Sequence, residues 1–439
     1  MNVLLRNVIE RLVRTGNLTV TDPDGNEHRF GDGTGEHVHA VLRTRRAERA
    51  IALDPNLSLP EAYMDGELDF IEGDVLAFLH IAYQNMGPAG VEAAWTRAME
   101  GLRHVFRRLQ QINTTSRSRE NVKRHYDLSP ELYRLFLDED MQYSCAYFER
   151  PDMSLEEAQL AKKRHLASKL AIRPANTVLD IGCGFGGLSL YLARHFEADV
   201  LGITLSEEQH AIASERAETE ELTNHAHFEL KDYRNLGERF DRIVSVGMFE
   251  HVGVNHYRTF FDRCATLLKP DGVMVLHSIG RFGSPTTTNA FIRKHIFPGG
   301  YIPALSEVLP AIEKAGLMVG DIEILRLHYA ETLKAWRKRF LANRERVQEI
   351  YDERFCRMWD FYLAGSEAAF RWQDMMVFQI QITHKNSTLP MTREYIAKCE
   401  RALATRDSNV GVLAREDGAP AKADKAANAA PTRKKRTAH

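Results

Sequence analysis

Between residues 176 and 277, short apolar runs alternate with longer segments whose apolar positions recur at helical spacing. The runs at 176–182, 199–204, 227–230, 242–247 and 273–277 have the length and the bounding turn residues of strands, the last following the turn Lys269-Pro-Asp-Gly272. Residues 187–195 and 207–221 predict helices between them. Such alternation argues for βαβ units and a doubly wound, mainly parallel sheet. Residues 330–366 predict a long helical stretch, and 375–383 a final strand. Upstream, Leu18-Thr-Val20 and His28-Arg-Phe30 flank Asp22-Pro-Asp-Gly25, a hairpin signal, and 59–84 predict helices broken at Gly66 and Gly73. The pattern divides the chain into a smaller mixed or helical unit (1–120), an α/β domain (121–400) and a tail (405–439) of disordered, basic composition ending Thr432-Arg-Lys-Lys-Arg.

The net charge of −2 over 439 residues provides no global field for nucleic acid, so attraction to anions has to be local. Residues 101–125 are one such place. Arg103, Arg107, Arg108, Arg117, Arg119, Lys123 and Arg124 there suit either a solvated helix face or a dock for anionic headgroups. Five scattered cysteines without a CxxC pair fit a reducing cytosol, and no zinc-type spacing predicts a metal site. No run approaches the roughly 18 apolar residues of a membrane span, so the expected place is cytoplasmic, peripheral at the inner face of the membrane.

The densest chemistry lies in Val178-Leu-Asp-Ile-Gly-Cys-Gly-Phe-Gly-Gly187. A strand running into glycines before a helix lets a cofactor approach the backbone. Gly182, Gly184 and Gly187 formally fit a dinucleotide fingerprint, but Asp180 on the strand opposes a pyrophosphate, and Gly202-Ile-Thr-Leu-Ser206 lacks the acidic residue that grips an NAD ribose. A carboxylate beside the loop suits the ammonium and sulfonium of S-adenosylmethionine. Thr204, Ser206 and Gln209 then face its ribose and amino-acid end, Asp232 its adenine amine, and Tyr233 its ring. Turn-forming residues also occur at strand ends without a ligand.

Beyond this loop, several ordered motifs carry a resemblance. They are Asn121-Val-Lys-Arg-His-Tyr-Asp-Leu, Met141-Gln-Tyr-Ser-Cys-Ala-Tyr-Phe, Val244-Ser-Val-Gly-Met-Phe-Glu-His-Val-Gly, Leu276-His-Ser-Ile-Gly, Phe297-Pro-Gly-Gly and His328-Tyr-Ala-Glu-Thr-Leu. Over about 120–385 the chain resembles the cyclopropane-fatty-acyl-phospholipid and mycolic acid cyclopropane synthases. The resemblance implies a Rossmann-like class I methyltransferase fold with a seven-stranded sheet, and a leading domain that engages the bilayer. A homodimer is among the arrangements it allows. It implies a bicarbonate ion held by Cys145, Glu250, His277, Ile279 and Tyr329. It places the donor against Tyr143, Ser144, the Asp180, Gly182, Gly184 and Gly186 stretch, Thr204 to Gln209, and Tyr233 with Arg234. Phe185 stands where tryptophan is common in that family, and the shared motifs do not cover the basic tail.

The implied chemistry adds a one-carbon unit from S-adenosylmethionine to the cis double bond of phospholipid acyl chains and closes a cyclopropane ring. An alkene needs alignment in a dry pocket rather than deprotonation, and the base acts afterwards on the transferred methyl. Proton loss from a neighbouring chain carbon would instead leave a methyl-branched alkene. A small-molecule methyltransferase and an inactive lipid-surface protein are the readings from other classes. Each site residue also has a plain alternative: Cys145 as a core residue, His277 at a strand end, Tyr329 at a helix start, and Glu250 paired with His251. Lys334, Arg337, Lys338, Arg339, Arg344 and Arg346, interleaved with Leu333, Trp336, Phe340 and Leu341, suit a membrane-facing helix or an ordinary surface helix equally. Phe291, Ile292, Ile296 and Phe297 suit an acyl tunnel or core packing.

Overall fold

The computed structural model describes residues 1–86 and 128–416, with side chains through residue 408. The basic stretch 101–125, nearly all of the 121–128 motif and residues 417–439 lie outside the described residues.

The first unit opens with helix α1 (Val3–Leu12) and the strands β1 (Asn17–Thr21), β2 (Glu27–Phe30) and β3 (His37–Leu42). The expected hairpin forms because the Asp22 carboxylate accepts from the backbone amides of Asp24 and Asn26, both at 3.0 Å. Helices α2 (Arg45–Leu53) and α3 (Pro55–Met64) follow, then β4 (Leu68–Glu72) and α4 (Val75–Met86). The sheet order is β2-β1-β3-β4. β4 corrects the expectation of helices alone over 59–84. Gly66 and Gly73 take left-handed φ values of 70° and 73° at its two ends, and the run between them pairs with β3 instead of coiling.

The second unit is built on seven strands: β5 (Thr177–Ile181), β6 (Asp199–Thr204), β7 (Ala226–Leu230), β8 (Phe240–Val246), β9 (Leu268–Arg281), β10 (Met318–Leu325) and β11 (Met375–Thr383). Their order is β10-β11-β9-β8-β5-β6-β7, with β11 antiparallel to both neighbours and the remaining pairs parallel. The predicted α/β class and doubly wound sheet are therefore present. The winding direction reverses between β5 and β8, and the carboxyl ends of strands at such a reversal are where open sheets bind ligands. Helices α5 (Pro130–Phe136), α6 (Leu155–Leu170), α7 (Gly187–Phe196), α8 (Glu207–Thr219), α9 (Tyr257–Leu267) and α10 (Leu305–Lys314) accompany the strands.

The stretch 330–366 is not one helix but three: α11 (His328–Ala342), α12 (Arg344–Ile350) and α13 (Glu353–Trp372). Asn343 breaks the first by donating its side-chain amide to Leu135 O, and Asp352 starts the third by capping Phe355 N at 2.7 Å. Leu333, Trp336 and Phe340 of α11 are buried in a core shared with Phe136 and Trp359, so these three belong to the protein interior and not to a bilayer, while Leu341 is exposed. Its central cation, Arg337, pairs with Asp360 at 2.7 Å and with Asp74 at 2.8 Å, bridging the two units. The Tyr63 hydroxyl donates to the other oxygen of Asp360.

The final helix, α14 (Glu394–Glu416), runs past the expected tail boundary at 405. Leu403 is buried there, Arg164 donates to Asp407 at 3.0 Å, and Arg406 donates to His195 O. A polar composition does not end a helix that still has contacts to make. Among the described residues no helix is long and apolar enough to cross a membrane.

Candidate active site

β5 delivers the chain into the glycine turn at the sheet's reversal point. Gly184 sits at φ 56°, and a Cβ built there would meet nothing within 4 Å, so this face of the loop opens onto free space. That space is a cleft partly open to solvent. Its wall includes the expected Tyr143, Ser144, Asp180, Gly182, Gly184, Thr204, Gln209, Asp232, Tyr233 and Arg234. Asp180 is buried, and the Ser189 hydroxyl donates to it at 2.8 Å; burial pushes its carboxyl up to about 6.

Two expected contacts do other work. A Cβ on Gly186 would lie 2.9 Å from Ala213 Cβ, so this glycine closes the loop against α8 and is not part of the cleft wall. Ser206 caps α8, its hydroxyl accepting from Gln209 N at 3.3 Å, and is likewise absent from the wall. Thr204 donates to Gln209 Oε1 at 2.8 Å, which leaves the Gln209 NH2 as that side chain's offer to a ligand. Arg234 neutralises Asp232 from within the wall.

Of the implied anion-binding residues, Cys145, Glu250, His277 and Tyr329 are buried and Ile279 is half-buried, and none is in the cleft wall itself. Glu250 Oε1 accepts from Ile279 N at 2.6 Å, whereas among the described residues its buried Oε2 has no hydrogen-bond partner. The Ile279 amide is thus committed to holding Glu250. Burial raises the Glu250 carboxyl to about 7. His277, two residues earlier on β9, meets the Gln379 side chain of β11 at 3.1 Å through Nδ1. With the Gln379 amide donating, the imidazole carries its proton on Nε2, and burial holds it neutral by lowering its pKa far below the usual value. Cys145 is buried, with its thiol pKa raised by burial, and its Sγ lies 3.2 Å from Ala146 O. Ala146 N donates to Thr332 on α11, the helix that carries Tyr329 in its first turn. The Tyr329 ring packs against Trp336 and Phe370. Cys145, Ile279 and Tyr329 belong to the same large apolar cluster as Phe291, Ile292, Ile296 and Phe297.

Several wall residues were not among the expected donor contacts: Gln142, Met248, His251 and Val252, which lie inside the quoted motifs, and Lys162 and His256, which lie outside them. The signal for His251 was its position next to Glu250. Lys162 had none, because it lies in a charged helical run that reads as surface.

The raised Glu250 pKa has a stability consequence with a definite sign. Folded, Glu250 keeps its proton up to about 7, while the unfolded chain loses it near the usual 4.5. The unfolded state then binds fewer protons, so this group lowers stability as pH rises through that window. His277 and His251, both held neutral by burial, act in the opposite direction. Comparison with Glu250→Gln cancels the histidines. The variant's melting temperature is expected to gain on the parent's as pH rises from about 5 to about 7.5, and a pH-independent difference in thermal melts would refute the assignment.

Comparison with known proteins places this geometry. Residues 113–380 match the family described as mycolic acid cyclopropane synthetase, and residues 4–89 match a domain described as of unknown function. The chain is 38% identical over 373 residues to the cyclopropane-fatty-acyl-phospholipid synthase of Escherichia coli K12, covering 82% of this chain and 94% of that protein. It is 37% identical over 382 residues to a probable fatty acid methyltransferase of Pseudomonas putida, covering 84% of this chain and 94% of that one. Among solved structures, the cyclopropane synthase MmaA2 of Mycobacterium tuberculosis superposes with a TM-score of 0.58 at 35% identity, over 60% of this chain and 97% of that chain. Mycolic acid cyclopropane synthase CmaA1, solved with S-adenosylhomocysteine (SAH) and CTAB, gives the same score, identity and coverage. The motif set, the sheet order and these matches agree: the chain belongs to the mycolic acid cyclopropane synthetase family.

Proposed function

We propose that this protein transfers a one-carbon unit from S-adenosylmethionine to the cis double bond of unsaturated phospholipid acyl chains and closes a cyclopropane ring. The observation that carries the reading is the junction of two environments. A cleft walled by Asp180, Gly184, Thr204 and Gln209 also takes in Gly247 and His251, which tie it to an apolar interior with the buried His277 and Glu250: Gly247 N donates to His277 O, and His251 follows Glu250. When bound, S-adenosylmethionine supplies an electrophilic methyl group. Gly184 gives it backbone approach, and Asp180 offers negative charge to its cations. The apolar interior excludes water, which favours alignment of an alkene and protects a cationic product of its attack.

Ring closure needs a base near the transferred methyl. His277 Nε2–H and the buried Glu250 Oε2, which has no hydrogen-bond partner among the described residues, are a donor and an acceptor of the kind a bicarbonate ion takes, and Tyr329 and Cys145 would complete the set. Held there, bicarbonate would supply a base ionised at neutral pH. Phospholipids would be reached by transient contact with the inner membrane surface.

The similarity to a fatty acid methyltransferase gives the methyl-branched alkene a second place, since both products share the first step. Expression with methyl-labelled methionine in a host lacking such an enzyme, followed by acyl-chain mass spectrometry, separates them. A labelled CH2 gain with loss of the double bond is expected. A retained double bond favours the branched product, and absence of label from lipid refutes both.

A further inference from the structure

Lys162 lies within α6 and is fully buried, yet among the described residues no carboxylate forms an ion pair with it. Its ammonium donates to Ser144 Oγ at 2.7 Å and to Gln142 Oε1 at 2.8 Å, and both of those residues stand in the cleft wall. The nearby acids are otherwise engaged. Asp140 pairs with Lys163 and Arg216, and Asp138 accepts from the backbone amides of Asp140 and Gln142. A desolvated cation with only neutral acceptors is unfavourable in itself, and burial pulls its pKa down to about 8.

The polarity of these bonds has one reading. An ammonium has no acceptor, so Ser144 Oγ must accept from it, and the hydrogen of Ser144 is left to be donated. Gln142 accepts through Oε1 and gives its Nε2 to Asp140, so it offers the cleft no acceptor in place of Ser144. The wall at Ser144 is therefore a hydroxyl donor backed by positive charge, a site for an anionic oxygen. Asp180, close enough for Lys162 to lower its pKa, lines the same cleft with the opposite charge. Thr204, Gln209 and Asp232, at or past the ends of β6 and β7, line the same cleft and suit the ribose, the amino-acid end and the adenine. The charged pair matches a zwitterion.

We propose that Lys162 is a positioning residue for the carboxylate at the amino-acid end of the methyl donor, acting through the hydroxyl of Ser144. The proposal rests on the donor-site reading above. Calorimetry with SAH and with methylthioadenosine, which lacks the amino-acid end, tests it on the full-length protein. Lys162→Met is expected to weaken SAH by about tenfold or more while changing methylthioadenosine by less than about twofold, in keeping with loss of a charge-assisted hydrogen bond. Ser144→Ala should show the same selectivity, and it carries the test alone if thermal melts show Lys162→Met to be unfolded. Equal losses for both ligands, or undiminished SAH binding, overturn the role of Lys162. If the parent protein binds neither ligand, the donor site itself is wrong and this proposal falls with it.

Discussion

Glu250→Gln is expected to lower turnover on unsaturated phospholipid vesicles by about a hundredfold or more, the usual scale for a group that handles protons, while SAH binds nearly as before. Gln keeps the shape and the acceptor for the Ile279 amide, so the tie that fixes the side chain to β9 survives. What it removes is the second carboxylate oxygen, which lies buried without a hydrogen-bond partner among the described residues, and the ability to exchange a proton near neutrality. The donor cleft is walled by other residues, so calorimetry and turnover should separate. Full activity in the variant would remove Glu250 from the mechanism.

Gly184→Val should abolish measurable donor binding without unfolding the protein. The position holds φ at 56°, a conformation that costs a β-branched residue on the order of 1–3 kcal/mol. That strain falls on a half-buried loop face that opens onto the cleft and should appear as a modest fall in melting temperature. The larger effect is steric, because the Cβ would emerge into open cleft where the donor is read to lie. An overlap costing about 3 kcal/mol is already more than a hundredfold in Kd. Tight SAH binding by the variant would move the donor away from this loop.

The glycine turn was legible because its information is local. Asp180, three closely spaced glycines and a following helix state their geometry in ten consecutive residues. The five strands around it were legible for the same reason, as short apolar runs closed by turns. β10 was missed since it is an edge strand: Gly320, Asp321 and Glu323 blur its alternation, and pairing to β11 stabilises it. β4 was hidden in the same way, becoming a strand because β3 presents an edge to it.

The chain alone determined the class of fold, the position of the donor loop and the residue types beside it, since each depends on neighbours a few positions apart. Only the tertiary structure decided which charges are buried and what they face. Lys162 follows Glu156, Glu157 and precedes Lys163 and Arg164, and reads as solvated surface. Packing of α6 beneath the 142–144 segment takes it out of water and turns it toward Ser144. The apolar side of α11 was equally compatible with a bilayer, until α13 and Phe136 occupied it. Periodicity says that a face will be covered, but the identity of the cover is long-range, and it sets both the dielectric and the partners that give a charged group its function.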